Sequence, residues 1–239
     1  MQSINLRPQI KNTVIIGLFL SVMIYSFGSA VWIYAKAWAA QQLITSAWQD
    51  TLSSQQPHPP WSWADTWPVA RLQAPDHDQD LMVLASASGE SLAFGPGHLV
   101  ESALPGNPGT SVIAGHRDTH FAFLQKLKPG DLLRIQDKKG NWQRYRVDST
   151  QIVNQKTQPL NITDQHQALV LVTCYPFNSV NPGGDLRYLV TAFAEQEPNK
   201  ENTLGYELPH IKEDSTIQKH FTGYEHSFIY NSFGQQFVF

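Results

Sequence analysis

The chain is poor in cysteine, in methionine and in charge. Of 239 residues, one is cysteine (Cys174) and three are methionine. A single thiol excludes an intrachain disulfide framework and a zinc site built on several cysteines. Charged residues make up 15% of the chain, well below the ~25% of an average soluble domain. Lys and Arg number 17 and Asp and Glu 20, a formal net charge of −3. Without a basic excess there is no electrostatic footprint for a phosphate backbone, so nucleic acid is not an expected partner. The sequence has no internal repeat and no acidic cluster suited to calcium, and no obligatory metal or cofactor is expected. With 41% hydrophobic residues, the chain can bury a core, which excludes wholesale disorder.

Charge is missing altogether from Asn12 to Ala35. As a helix this run would measure roughly 36 Å, enough to cross a ~30 Å hydrocarbon layer with some tilt. Arg7 and Lys11 precede it and Lys36 follows, and Tyr25, Trp32, Tyr34 and Trp38 gather toward its far end. Interfacial aromatics and the positive-inside rule favour a single-pass membrane anchor with a cytoplasmic N-terminus and an exported remainder. A cleaved signal peptide is the rival reading, since Gly28-Ser29-Ala30 and Ala37-Trp38-Ala39 offer small residues at cleavage-like spacing. The run is longer than an ordinary signal-peptide core.

The expected organisation is an anchor over 1–40, a linker rich in Pro and Trp over 41–66, a folded domain over 67–194 and a C-terminal extension over 195–239. Residues 41–50 could prolong the helix outward. Trp61, Trp63 and Trp67 could sit at lipid headgroups or pack on the domain. After Trp67, short apolar runs alternate with Gly, Pro, Asn and Asp. They are Leu81–Ala85, Ser91–Phe94, Ser111–Ala114, Asp131–Gln136, Trp142–Asp148, Ala168–Thr173 and Leu186–Phe193. Lys138-Lys139-Gly140-Asn141 reads as a hairpin turn, and Thr119–Leu127 reads as a short helix stopped by Pro129-Gly130. Many short strands with few helices point to a mainly β fold, a barrel or a sandwich. The extension is polar at first and then aromatic, ending in Phe237 and Phe239. Asn161-Ile162-Thr163 matches a glycosylation triplet, a pattern common by chance.

Cys174 stands where the apolar run Ala168–Val172 stops, just before Tyr175-Pro176. That run predicts a strand buried on both faces. Arg187 lies near the start of the next predicted strand. If the two strands pair antiparallel, Cys174 and Arg187 share one edge of the sheet. His116 also follows a predicted strand, through Gly115. A cysteine nucleophile needs a base or a positive neighbour, which His supplies, and an arginine can stabilise an acyl-transfer oxyanion. Taken singly, each residue has a plain alternative as a buried thiol, an incidental imidazole or a solvated charge. His116 and His120 have the i, i+4 spacing of a zinc pair on a helix. Gly115 and the preceding strand put His116 in a loop, however, and no third ligand is evident.

Together these segments resemble the sortases, a family of membrane-anchored cysteine transpeptidases. The matching stretches are Thr110–Arg117 (T-S-V-I-A-G-H-R), Phe123–Asp131 (F-L-Q-K-L-K-P-G-D), Leu171–Phe177 (L-V-T-C-Y-P-F) and Pro182–Tyr188 (P-G-G-D-L-R-Y). Leu92–Leu99 (L-A-F-G-P-G-H-L) resembles the approach to the first of them. The Cys-Tyr-Pro-Phe and Pro-Gly-Gly stretches are most similar to the proteobacterial, Gram-negative group. The resemblance implies an eight-stranded sortase-type β-barrel with short helices behind a transmembrane helix. It implies Cys174 as nucleophile, His116 as general acid/base, Arg187 for the oxyanion or substrate, and Thr173 in shaping the substrate groove. The implied partners are a protein with a C-terminal Leu-Pro-x-Thr-Gly-like sorting signal, an amine acceptor and the lipid bilayer. A hydrolase using water as acceptor and a non-enzymatic membrane-tethered binding module are the competing readings.

Overall fold

The computed structural model describes residues 7–158, 167–179 and 184–195. The glycosylation triplet, Pro182-Gly183 and nearly all of the 195–239 extension lie outside them. The first element is a single helix, α1 (Arg7–Ser54). Along Val14–Trp38 its large apolar side chains are exposed on every side, and it is long and apolar enough to cross a membrane. Beyond Trp38 the pattern changes to one buried stripe: Ala40, Ile44, Ala47, Trp48 and Thr51. That three-and-four spacing lays one face of α1 against the domain. The helix therefore runs on to Ser54, well into the 41–66 segment outlined above as a linker.

Eight strands follow: β1 (Pro68–Ala74), β2 (Gln79–Leu84), β3 (Gly97–His98), β4 (Thr110–Ala114), β5 (Leu132–Gln136), β6 (Trp142–Asn154), β7 (Ala168–Cys174) and β8 (Leu186–Ala194). They close into a barrel in the order β1-β2-β3-β4-β7-β8-β6-β5. The β2/β3 and β4/β7 pairs are parallel and the other six are antiparallel. Closure removes the sheet edges that a short-stranded protein would otherwise expose. Alternation along the strands fills the interior with Leu72, Val83, Ile113, Leu133, Ile135, Tyr145, Leu169, Leu171 and Val190. Phe121, Phe123, Leu124 and Leu127 join the same core. A second apolar cluster, Leu99, Val112, Val170, Val172 and Leu189, covers the outer face of β4, β7 and β8. β7 is thus buried on both faces, as its unbroken apolar run requires.

Several expected elements differ. Ser91–Phe94 is not a strand. It overlaps a one-turn helix, α2 (Gly89–Leu92), whose N-cap Ser88 accepts from Ser91 N–H. The helix expected over Thr119–Leu127 contracts to a 3-10 turn at Ala122–Lys126, because the phenyl and leucyl groups around it plug into the barrel. β6 runs six residues past its expected end at Asp148. Its exposed polar residues show no alternation, and its length comes from pairing with β8. β1 and β3 carry no clear apolar run, since β1 buries mostly small residues and β3 has two residues. The Lys138–Asn141 turn is where it was expected, with Gly140 at φ +87°.

Leu171 is fully buried at the centre of the barrel. Leu171→Ala should lower the unfolding free energy by about 2–5 kcal/mol. This would be read as a lower urea midpoint at unchanged slope for the full chain in detergent micelles.

Candidate active site

Three neighbouring strands, β4, β7 and β8, bring the site residues to one edge. β7 and β8 pair antiparallel, with Cys174 directly opposite Arg187. On its other side β7 pairs in parallel with β4, and Ala114 stands opposite Val172. Continuing that register by two residues sets His116 beside Cys174. The continuation is held by hydrogen bonds: Gly115 N–H donates to Val172 O at 3.1 Å, and Thr173 Oγ1 donates to Gly115 O at 2.6 Å. His116, Cys174 and Arg187 thus follow one another across the sheet. All three lie on the outer face, in line with Val112, Val172 and Leu189 of the second apolar cluster.

The side chains differ in exposure. His116 is exposed and Cys174 half-buried. Arg187 is buried, and its Nη1 donates to Gly184 O at 2.8 Å and to Leu186 O at 3.0 Å. Backbone carbonyls in the chain entering β8 therefore hold in place the permanent positive charge of the residue paired with Cys174. Thr173 is buried on the inward face shared with Leu169 and Leu171, so its hydroxyl acts on the site through Gly115. Gly115 must be glycine because of close approach: a Cβ there would lie 2.8 Å from the Phe121 ring, which is itself fully buried.

Arg117, not singled out in the sequence, and His120, weighed there only as a zinc partner of His116, complete the arrangement. Arg117, nearly buried, donates from Nη2 to Ser179 O at 2.9 Å, tying the His116 turn to the segment after Cys174. An arginine adjoining the candidate histidine was the available signal, but sequence alone does not tell a buried arginine from a solvated one. His120 is brought back toward His116 by the turn in which Phe121 N–H donates to His116 O at 3.0 Å. Burial first, and the charge of His116 second, push the His120 imidazole below its ordinary value. After Cys174, the rings of Tyr175, Phe177 and Tyr188 pack together at 5.2–6.3 Å, and Phe177 and Tyr188 rest on the barrel core. Among the described residues, no group of three His, Cys, Asp or Glu side chains could hold a metal.

A closed eight-stranded barrel, with cysteine, histidine and arginine at the ends of three adjacent strands, defines a class as well as a shape. Residues 72–195 match the sortase domain model. The chain belongs to the sortase family. It is 32% identical over 120 residues to sortase D of Bacillus subtilis, an alignment covering 50% of this chain and 60% of that relative. The structure resembles sortase A of Corynebacterium diphtheriae with a TM-score of 0.51 and 28% identity, over 64% of this chain and 70% of that one. A Clostridium perfringens sortase D5 transpeptidase shares the fold at a TM-score of 0.50 and 19% identity, over 62% of this chain and 88% of that one.

Two predictions follow from the hydrogen bonds and charges described. Thr173→Val leaves the buried Gly115 carbonyl unpaired and should cost about 1–3 kcal/mol, with Thr173→Ser recovering most of it in the same urea titration. The lowered His120 value means that its contribution to stability is intact above about pH 6.5 and is lost as the pH falls through the lowered value. Histidine NMR titration should find the His120 midpoint below that of a free histidine. His116→Gln should raise it, and an unmoved midpoint would contradict the electrostatic influence of His116 on His120.

Proposed function

We propose that this chain is a membrane-anchored cysteine transpeptidase that cleaves a Leu-Pro-x-Thr-Gly-like sorting signal and transfers the acyl group to an amine. The observation that carries this reading is the alignment of His116, Cys174 and Arg187 across β4, β7 and β8. Cys174 is the nucleophile. Its proton passes to His116 as Sγ bonds to the Thr carbonyl carbon. Arg187 stabilises the oxyanion of the tetrahedral intermediate. That intermediate collapses as the C–N bond breaks and His116 protonates the departing Gly amine. The acyl group is left as a thioester on Cys174. An incoming amine then attacks the thioester carbonyl and yields its proton to His116. The C–S bond breaks and the thiol is restored by that proton. Thr173 acts as a positioning residue through its bond to Gly115 O. The apolar cluster on the same face as Cys174 supports an apolar residue on the acyl side of the cleaved bond.

Arg7 and Lys11 ahead of the apolar run support a cytoplasmic start and a barrel on the exported, periplasmic side of the inner membrane. The Cys-Tyr-Pro-Phe and Pro-Gly-Gly stretches support a place in the proteobacterial group of the family.

The test is to incubate the full chain in detergent micelles with a Leu-Pro-x-Thr-Gly peptide library, with and without an added amine, and to weigh the intact protein. An acyl adduct ending at Thr is expected, absent in Cys174→Ala. Arg187→Ala should form it about 100- to 1000-fold more slowly. Purely hydrolytic products under saturating amine would instead make the chain a peptidase. Absence of any adduct would favour a binding module.

A further inference from the structure

α1 is uninterrupted from Arg7 to Ser54, yet its two parts have opposite surroundings. Up to Trp38 the large apolar groups are exposed all round, and from Ala40 onward one face is buried on the barrel. The change takes less than one helical turn, so no flexible joint separates the two parts. Two polar contacts fasten the docked part. Gln41 Nε2 donates to Phe94 O at 2.7 Å, and Trp48 Nε1 donates to Gln136 Oε1 at 3.3 Å. The barrel is carried rigidly by whatever holds the apolar part of the helix.

That mounting also fixes a height. Gln41 stands roughly 7–8 Å along the axis beyond Lys36, the first charge after the apolar run, and Thr45 roughly 13–14 Å beyond it. Both line a cavity of about 240 Å³ together with Arg71, Asp80, Phe94 and His120. The turn closed by the Phe121 N–H to His116 O bond keeps His120 near His116, so the candidate site lies close to this level. The chain leaving α1 also comes back to it. The Trp61 ring meets Phe94 edge-on at 5.2 Å between centroids, and Trp63 is 83% exposed. Indole rings favour the headgroup layer, where an apolar body and a polar N–H are both accommodated.

We propose that the surface made by Trp61, Trp63 and the turn at Phe94 rests in the phospholipid headgroup layer of the bilayer that α1 crosses. This holds the candidate active site within about 2 nm of the membrane. The proposal rests on α1 being the membrane anchor. The occupant is lipid because this surface adjoins α1 at Gln41, roughly 7–8 Å beyond the apolar stretch, and carries the exposed Trp63.

The test uses the full chain in a Cys174→Ser background, in nanodiscs of phosphatidylethanolamine and phosphatidylglycerol. Single nitroxide labels are placed at Phe19→Cys, Ser53→Cys and Trp63→Cys, and collisions with oxygen and with a water-soluble nickel chelate are compared. The Phe19 label should meet oxygen, and the Ser53 label, at the far end of α1, should meet nickel. The Trp63 label should be several-fold less open to nickel than the Ser53 label. Equal openness at positions 63 and 53, with Phe19 shielded in lipid, overturns the proposal and leaves the anchor intact. A Phe19 label open to nickel overturns the anchor and the proposal with it. Shielding at position 63 that persists in lipid-free micelles and grows with protein concentration means a second copy covers this surface, which also overturns it.

Discussion

The parallel ladder between β4 and β7 governs where this chain can set a histidine beside a cysteine. Parallel neighbours end on the same side, so the residues that follow them leave the sheet together. Two residues past the last paired position of β4 come Gly115 and His116. The corresponding residues of β7 are Thr173 and Cys174. The ladder is deep in the barrel and its apolar side chains are buried on both faces, so slipping the register would turn the Leu169 and Leu171 side chains away from the interior. β8 then adds Arg187 from the opposite direction. The relative placement of the three residues is a property of the most buried part of the fold, although His116 itself is exposed.

Around that ladder the structure spends its hydrogen bonds on keeping the departing segments together. Thr173 reaches back to Gly115, Arg117 reaches across to Ser179, and Arg187 is held by Gly184 and Leu186. These bonds go to backbone carbonyls in the segments that leave or enter the strands, and Leu186 O also accepts from Tyr175 N–H. A buried carbonyl without a donor is costly, so the Thr173 bond satisfies Gly115 O and orders a side chain at once. The ring of Phe121 closes the space behind Gly115, which leaves the His116 turn little freedom to retreat.

Much of this could be read from the chain. The Ala168–Val172 run announced a strand buried on both sides, and Cys174 and Arg187 stood at the facing ends of consecutive strands. Lys138–Asn141 gave its hairpin through Gly140. What remained hidden shares a physical cause. β1 buries Ala70 and Ala74, residues too small to mark a core face by pattern, and β3 is held only by its neighbours. Ser91 and Leu92 belong to a single capped turn, too short for helical periodicity to reveal. The buried state of Arg117 and the inward face of Thr173 depend on residues far away in sequence, Ser179 and Gly115, and no local pattern encodes those encounters. The second half of α1 is legible in retrospect from Ala40, Ile44, Ala47 and Trp48. Lys36 and the interfacial aromatics mark where the apolar run ends, while the absence of proline until Pro57 lets the helix continue past it.

Cys174 is half-buried at the end of β7 and is the only sulfur in the chain able to form a disulfide. In many redox-sensing proteins a second thiol of the same chain traps a cysteine sulfenic acid as a disulfide. Here no such resolving partner exists. If the thiol is taken to a sulfenic acid, it returns only by way of an outside reductant, or it joins two chains through their sites. Upkeep of the sulfur in its reduced form is thereby handed to the surroundings of the protein.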